Sequence, residues 1–106
     1  MSLDLAIDQL LETGWSLLDT SDHEYSPSAR LYPTPERVTR EFRMAGVDLR
    51  IRRVDLFDCF RAEWTDPDSA RREAVVGATR EEAAVYALVR LRRRLAESAA
   101  PAAPSA

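Results

Sequence analysis

The sequence predicts an α+β domain: an antiparallel sheet of three to five strands, with N- and C-terminal helices packed on one face. Three observations carry this. Apolar residues recur at helical spacing near both ends of the chain, around Leu3 to Leu11 and Ala84 to Leu95. Strand-forming residues fill the stretch from Val47 to Val76. The strands follow one another at short spacing, which favours antiparallel pairing because parallel strands need long crossovers.

The first helix places Leu3, Ala6, Ile7, Leu10 and Leu11 on one stripe, with Asp4, Asp8, Gln9 and Glu12 on the other face. Ser2 suits its N-cap and Gly14 its stop. Trp15-Ser16-Leu17-Leu18 reads as a short strand, and Asp19 to Ser28 as a polar loop. Tyr32-Pro33-Thr34-Pro35 extends the irregular stretch, because proline interrupts ladders and helices.

Residues 35 to 45 support two readings. For a helix, Thr34 is an N-cap, Pro35 sits at N1, Glu36 and Arg40 form an i,i+4 pair, and Gly46 is the stop. For a strand, Val38, Phe42 and Met44 lie on one side, and a turn at Ala45-Gly46 pairs Met44 with Val47 and Phe42 with Leu49. The alternation tips the expectation slightly to the hairpin.

Further on, Val47, Leu49 and Ile51 alternate with Asp48, Arg50 and Arg52, as a strand with one buried face requires. Leu56 to Trp64 is a second strand, Asp66-Pro67-Asp68-Ser69 a turn, and Glu73 to Gly77 a third strand. Thr79-Arg80-Glu81-Glu82 fits a capping box at the start of the last helix. Its core stripe is Ala84, Leu88, Leu91 and Leu95, with Val85 beside it. Arg90, Arg92, Arg93 and Arg94 are expected in its last turn, where they complement the macrodipole. The domain is expected over residues 1 to 97, and Ser98 to Ala106 reads as a disordered tail with nothing to bury.

Bulk properties narrow the setting. The composition is 45% apolar and 31% charged, which is globular and not disordered. No apolar run approaches the roughly 20 residues that span a bilayer. Met1-Ser2-Leu3-Asp4 lacks the basic and apolar regions of a signal peptide, and a lone Cys59 forms no intrachain disulfide. The expected location is therefore cytoplasmic, with no membrane partner. All 15 basic residues are Arg, with no Lys and no Asn, which points to a GC-rich and hence bacterial genome. Residues 1 to 36 carry seven acids against one Arg, whereas residues 37 to 106 carry 14 Arg against 11 acids. The formal charge of −3 is thus the sum of −6 and +3.

The order helix, strands, helix, with Gly77-Ala78-Thr79-Arg80-Glu81-Glu82-Ala83-Ala84 leading into the last helix, resembles the α-β-β-β-α arrangement of double-stranded-RNA-binding domains. It also resembles small phage-associated α/β/α sandwich proteins. The likeness covers roughly residues 56 to 95 and, more loosely, the first helix. The first resemblance implies phosphate contacts at the start of the last helix. Arg80 matches that pattern, but Glu81 and Glu82 follow it and repel phosphate. The Gly-Pro-x-His loop of that family has no counterpart, and Asp22-His23-Glu24 is acidic.

Candidate sites divide by chemistry. Cys59 in a strand lacks a neighbouring base in sequence and reads as a structural thiol. Asp19, Asp22, His23 and Glu24 match no metal-binding spacing, and Asp55 with Asp58 reads as a solvated strand end. No phosphate-binding glycine loop, His-Glu-x-x-His or Gly-x-Ser-x-Gly motif occurs. The expectation is a non-catalytic interaction or accessory module with no cofactor and no metal, binding an unidentified protein partner or a second copy of itself. The alternative is nucleic-acid binding through an Arg-bearing sheet face, with Arg40, Arg50, Arg52, Arg61 and Trp64 as contacts. Pairing of those arginines with Glu41, Asp48 or Glu63 is what would argue against it.

Overall fold

The computed structural model describes residues 2–99. Its elements run α1 (Leu3–Glu12), β1 (His23–Tyr25), β2 (Leu31–Pro33), α2 (Pro35–Met44), β3 (Arg50–Val54), a 3-10 turn (Asp55–Phe57), β4 (Cys59–Thr65), β5 (Arg72–Gly77) and α3 (Arg80–Ala99). The fold is α+β. β3, β4 and β5 form an antiparallel meander, and β1 pairs with β2 in a separate antiparallel hairpin. No helix among the described residues is long and apolar enough to cross a membrane.

Helix α3 is the centre of the packing. It lies on the sheet, and α1 and α2 pack against it. Its buried residues are therefore not a stripe but nearly the whole circumference from Glu82 to Leu91, interrupted at Tyr86 and Arg90. Small residues make the closeness possible: Ala83, Ala84 and Ala87 are fully buried. So does Gly77 at the end of β5, where an added Cβ would lie 2.5 Å from the Ala83 nitrogen. The start of α3 is capped as expected, with the Glu82 N–H donating to Thr79 Oγ1 at 3.1 Å. The Glu82 carboxylate reaches back one residue further, accepting from the Ala78 N–H at 2.9 Å.

The C-terminal part differs from expectation. The helix continues through Ala99, so the four arginines lie about one and a half to two and a half turns before its end. Leu95 is 48% exposed, because the second half of the helix outruns the elements that cover the first. Residues 98 and 99 are helical, and the remainder of the expected tail lies outside the described residues.

Residues 35 to 45 are a helix, not half of a hairpin. Thr34 Oγ1 accepts from the Arg37 N–H at 3.2 Å, and Pro35 opens the first turn. The end is a Schellman motif: the Val47 N–H donates to the Phe42 carbonyl and the Gly46 N–H to the Arg43 carbonyl, each at 2.9 Å, with Gly46 at φ +76°. Val38 and Phe42, four residues apart, are fully buried, while Met44 is 75% exposed. The helical period and both caps outweigh the short alternation. Phe42 meets Trp64 of β4 edge to face, with ring centroids 5.2 Å apart.

Trp15 to Leu18 form no strand, and the strand lies instead inside the expected polar loop. The β1–β2 hairpin pairs His23 with Pro33, Glu24 with Tyr32 and Tyr25 with Leu31. Its turn closes through the Ser26 N–H donating to the Arg30 carbonyl at 2.8 Å. Arg30 fixes the hairpin to α1 by an ion pair to Asp8 of 2.7 Å. Asp4 accepts from Ser28 Oγ at 2.6 Å.

Substituting Gly77 by alanine is expected to destabilise the fold by roughly 1–3 kcal/mol, since backbone and not a flexible side chain stands in the way. Urea denaturation of the variant measures this, and an unchanged midpoint would show that β5 and α3 do not approach as described.

Candidate functional site: the uncovered surfaces of the sheet

Helix α3 covers one face of the three-stranded sheet and leaves the other open. Register assigns the side chains. Ile51, Ala62 and Val75 lie in one row on the helix side, as do Phe60 with Gly77 and Trp64 with Glu73. The open face carries Val54 beside Cys59, then Arg52, Arg61 and Val76, then Arg50, Glu63 and Ala74, then Thr65 and Arg72.

The expected contacts are thus divided. Arg50, Arg52 and Arg61 share the open face. Trp64 is buried on the opposite face against Phe42, out of reach of a base stacking beside those arginines. Arg40 belongs to α2, where it pairs with Asp22 at 2.8 Å.

Arg52 and Arg61 stand directly opposite each other across β3 and β4. Two like charges in that position repel. Glu63 resolves this by taking Arg52 Nε at 2.9 Å and Arg61 Nε at 3.2 Å. The Glu63 side chain is only 17% exposed under the two guanidinium groups. Their hydrogen bonds, Arg52 first and Arg61 second, hold its carboxyl below the ordinary value of 4.5. Arg50 sits 3.5 Å from Asp48. Arg53, on the helix side at the edge, takes both Asp55 at 3.4 Å and Asp58 at 2.9 Å, so those two carboxylates serve one arginine. Cys59 is half-buried on the open face beside Val54.

At the Cys59 end, the turn joining β3 to β4 presents Leu56 and Phe57, 84% and 73% exposed. Sequence alternation places both in a strand, but Asp58 adopts a left-handed conformation at φ +47° and ends the 3-10 turn ahead of β4.

Asp19, Asp22, Glu24 and His23 of the expected polar loop are each engaged by protein groups. Asp19 accepts from the Ser21 hydroxyl at 2.8 Å, which is the main cause holding its carboxyl below the ordinary value. Asp22 holds Arg40. Glu24 accepts from the Tyr32 hydroxyl at 3.3 Å. His23 Nε2 accepts from Trp15 Nε1 at 3.2 Å, and its Nδ1 lies 2.8 Å from the Ser21 carbonyl, which sets the tautomer with the proton on Nδ1. Among the described residues no three His, Cys, Asp or Glu side chains converge as metal ligands.

Trp15 gathers a cluster that local sequence patterns did not indicate. Arg37 of α2 and Arg92 of α3 both lie over its ring, at 5.3 and 5.2 Å from the centroid. Arg92 also donates to Thr13 Oγ1 at 2.8 Å. Glu41 lies 3.5 Å from Arg37 Nε but out of line for a hydrogen bond, so this buried nitrogen has an electrostatic partner only. The cluster ties the loop after α1 to the other two helices.

Two grooves flank the sheet. One, of about 390 Å³, runs between the second half of α3 and the turn after β4, over Trp64 and Leu91. Asp66 lies at its side, bound by the Asp68 N–H at 2.9 Å and paired with Arg94 at 2.9 Å. The backbone bond chiefly, and Arg94 after it, hold the Asp66 carboxyl low against the opposing effect of burial. The other groove, of about 310 Å³, lies between β5 and the helices. Comparison with family models, with curated proteins and with solved structures found no match, so the reading of these surfaces rests on their own chemistry.

Glu63, Asp66 and Asp19 all have lowered folded-state values. Their contribution to stability is present above the ordinary carboxyl range and is lost as pH falls from about 4.5 through their lower folded values. Thermal melts from pH 6 to pH 2 are expected to show this loss, and Glu63→Gln to reduce its size while lowering the midpoint at pH 6 less than Gly77→Ala does. An acid dependence identical in Glu63→Gln would mean that Glu63 does not bridge the two arginines in solution.

Proposed function

We propose that the chain is a non-catalytic protein-interaction module of the bacterial cytoplasm, self-associating through the end of the sheet that carries Leu56 and Phe57. The observation that supports this is the pairing of two large, mostly exposed apolar side chains on one short turn, beside an open sheet face on which Glu63 bridges Arg52 and Arg61. Burying them against another protein surface removes apolar area from water, and the neighbouring Val54 and Cys59 extend the patch. A two-fold arrangement is the simplest closed form, because the same patch then serves both partners.

The internal ion pairs weigh against the nucleic-acid alternative. Arg50, Arg52 and Arg61 have acidic partners already, Trp64 faces away from them, and Glu81 and Glu82 stand where phosphate contacts would be needed. Catalysis through Cys59 has little support, since His23 has both ring nitrogens engaged, by Trp15 and by the Ser21 carbonyl.

Sedimentation velocity over a wide concentration range is expected to show a reversible dimer, and Leu56→Ser with Phe57→Ser to leave a monomer of unchanged thermal midpoint. A wild-type chain that stays monomeric throughout, or a double variant that dimerises as well as wild type, would remove this reading.

A further inference from the structure

The two edges of the sheet are guarded differently. An edge strand offers alternate N–H and C=O groups to any chain that can pair with it, and charged side chains are the usual protection. Three of the five residues of β3 are arginines. In β5 the run Ala74-Val75-Val76 is uncharged, contains no proline and shows no bulge in its pairing with β4. Among the described residues no backbone hydrogen bond from outside the sheet reaches β5.

Beside this edge lies the groove of about 310 Å³. Ala74 to Val76 form one wall, and Tyr86, Val89, Arg90 and Arg93 of α3 form the other. No carboxylate is among the residues that line it. Arg90 is held by Glu73 at 3.0 Å, whereas Arg93 has no ion-pair partner among the described residues. Backbone pairing sites on one side, apolar side chains between and a free cation on the other make a site for one kind of ligand.

We infer that β5 accepts an extended acidic peptide as a fourth strand, its backbone pairing with β5, its apolar side chains in the groove and its carboxylates toward Arg93. The occupant is a partner peptide and not a second copy. The groove lining carries Arg93 and no carboxylate, so it complements an acidic strand, whereas the uncharged Ala74-Val75-Val76 run of a second copy supplies no such charge. This inference rests on the reading of the chain as a protein-interaction module, but uses a different surface from the Leu56–Phe57 turn.

The test is a fluorescence-anisotropy titration of the whole chain with a labelled hexapeptide of alternating valine and glutamate, and with its lysine counterpart. It is repeated on the Leu56→Ser, Phe57→Ser variant, so that loss of self-association and loss of peptide binding are read separately. The acidic peptide is expected to bind both proteins, with amide NMR shifts confined to Arg72–Gly77 and Tyr86–Arg93. Arg93→Glu, an exposed substitution, should weaken it at least about fivefold, as expected when one exposed attraction becomes a repulsion, and favour the lysine peptide. Arg50→Glu, an exposed substitution on the opposite edge strand, should leave peptide binding unchanged. Absence of binding, shifts at β3 or on the open face, indifference to Arg93→Glu, or a dimer built on β5 would each overturn the inference. The first of these alongside an intact Leu56–Phe57 dimer would leave the self-association reading standing.

Discussion

At Gly77 the last strand passes so close to the first turn of α3 that no side chain fits between them. That approach sets how near the helix lies to the sheet, and the other packing follows from it. A helix held this close must present small residues, and Ala83, Ala84 and Ala87 are the ones buried there. With the sheet on one side, α3 still has two apolar flanks, and α1 and α2 cover them. The Trp15 cluster then ties the loop after α1 to both neighbours through Arg37 and Arg92. Burial around nearly the whole of α3 from Glu82 to Leu91 is the result, which is unusual for a helix in so small a domain.

Concentrating the helices on one face leaves the other face and both edges of the sheet in contact with solvent. The open face handles its exposure with charge. Arg52 and Arg61 would repel across the strands, and Glu63 between them turns a repulsion into a bridged triad. Both guanidinium groups are thereby oriented on one carboxylate, and the triad keeps a net charge of +1. Two further surfaces carry exposed chemistry of their own: the apolar Leu56–Phe57 turn, and the β5 edge beside Arg93. These two surfaces are the ones on which the proposed interaction role rests.

Much of the frame was legible in the residues. Ser2, Gly14, Thr79 and Glu82 mark helix ends through local hydrogen bonding, which a sequence displays directly. The β3–β4–β5 meander shows in its alternation and in the Asp66–Ser69 turn. Residues 35 to 45 are ambiguous because Val38 and Phe42 satisfy two periods at once, and only Met44, left in solvent by the helix, separates them. Weighting the Thr34-Pro35 start and the Gly46 stop above the alternation would have decided it. The β1–β2 hairpin was not legible. Its strands are three residues long, one includes a proline, and it is anchored by contacts to α1 that lie about 20 residues away in sequence. Of the candidate contacts, the shared face of Arg50 and Arg52 follows from strand parity, and so does the opposite side of Trp64, which lies three residues from Arg61 in the same strand.

Native-state hydrogen exchange tests the central claim most directly, since it reads both the burial of α3 and the freedom of the sheet edge. Amides from Ala84 to Leu91 should be the slowest in the protein, opening only with global unfolding, while alternate amides of β5, those turned away from β4, exchange quickly. Uniform protection along β5, or an α3 that exchanges faster than β4, would contradict a fold built around a buried helix with an unpaired edge beside it.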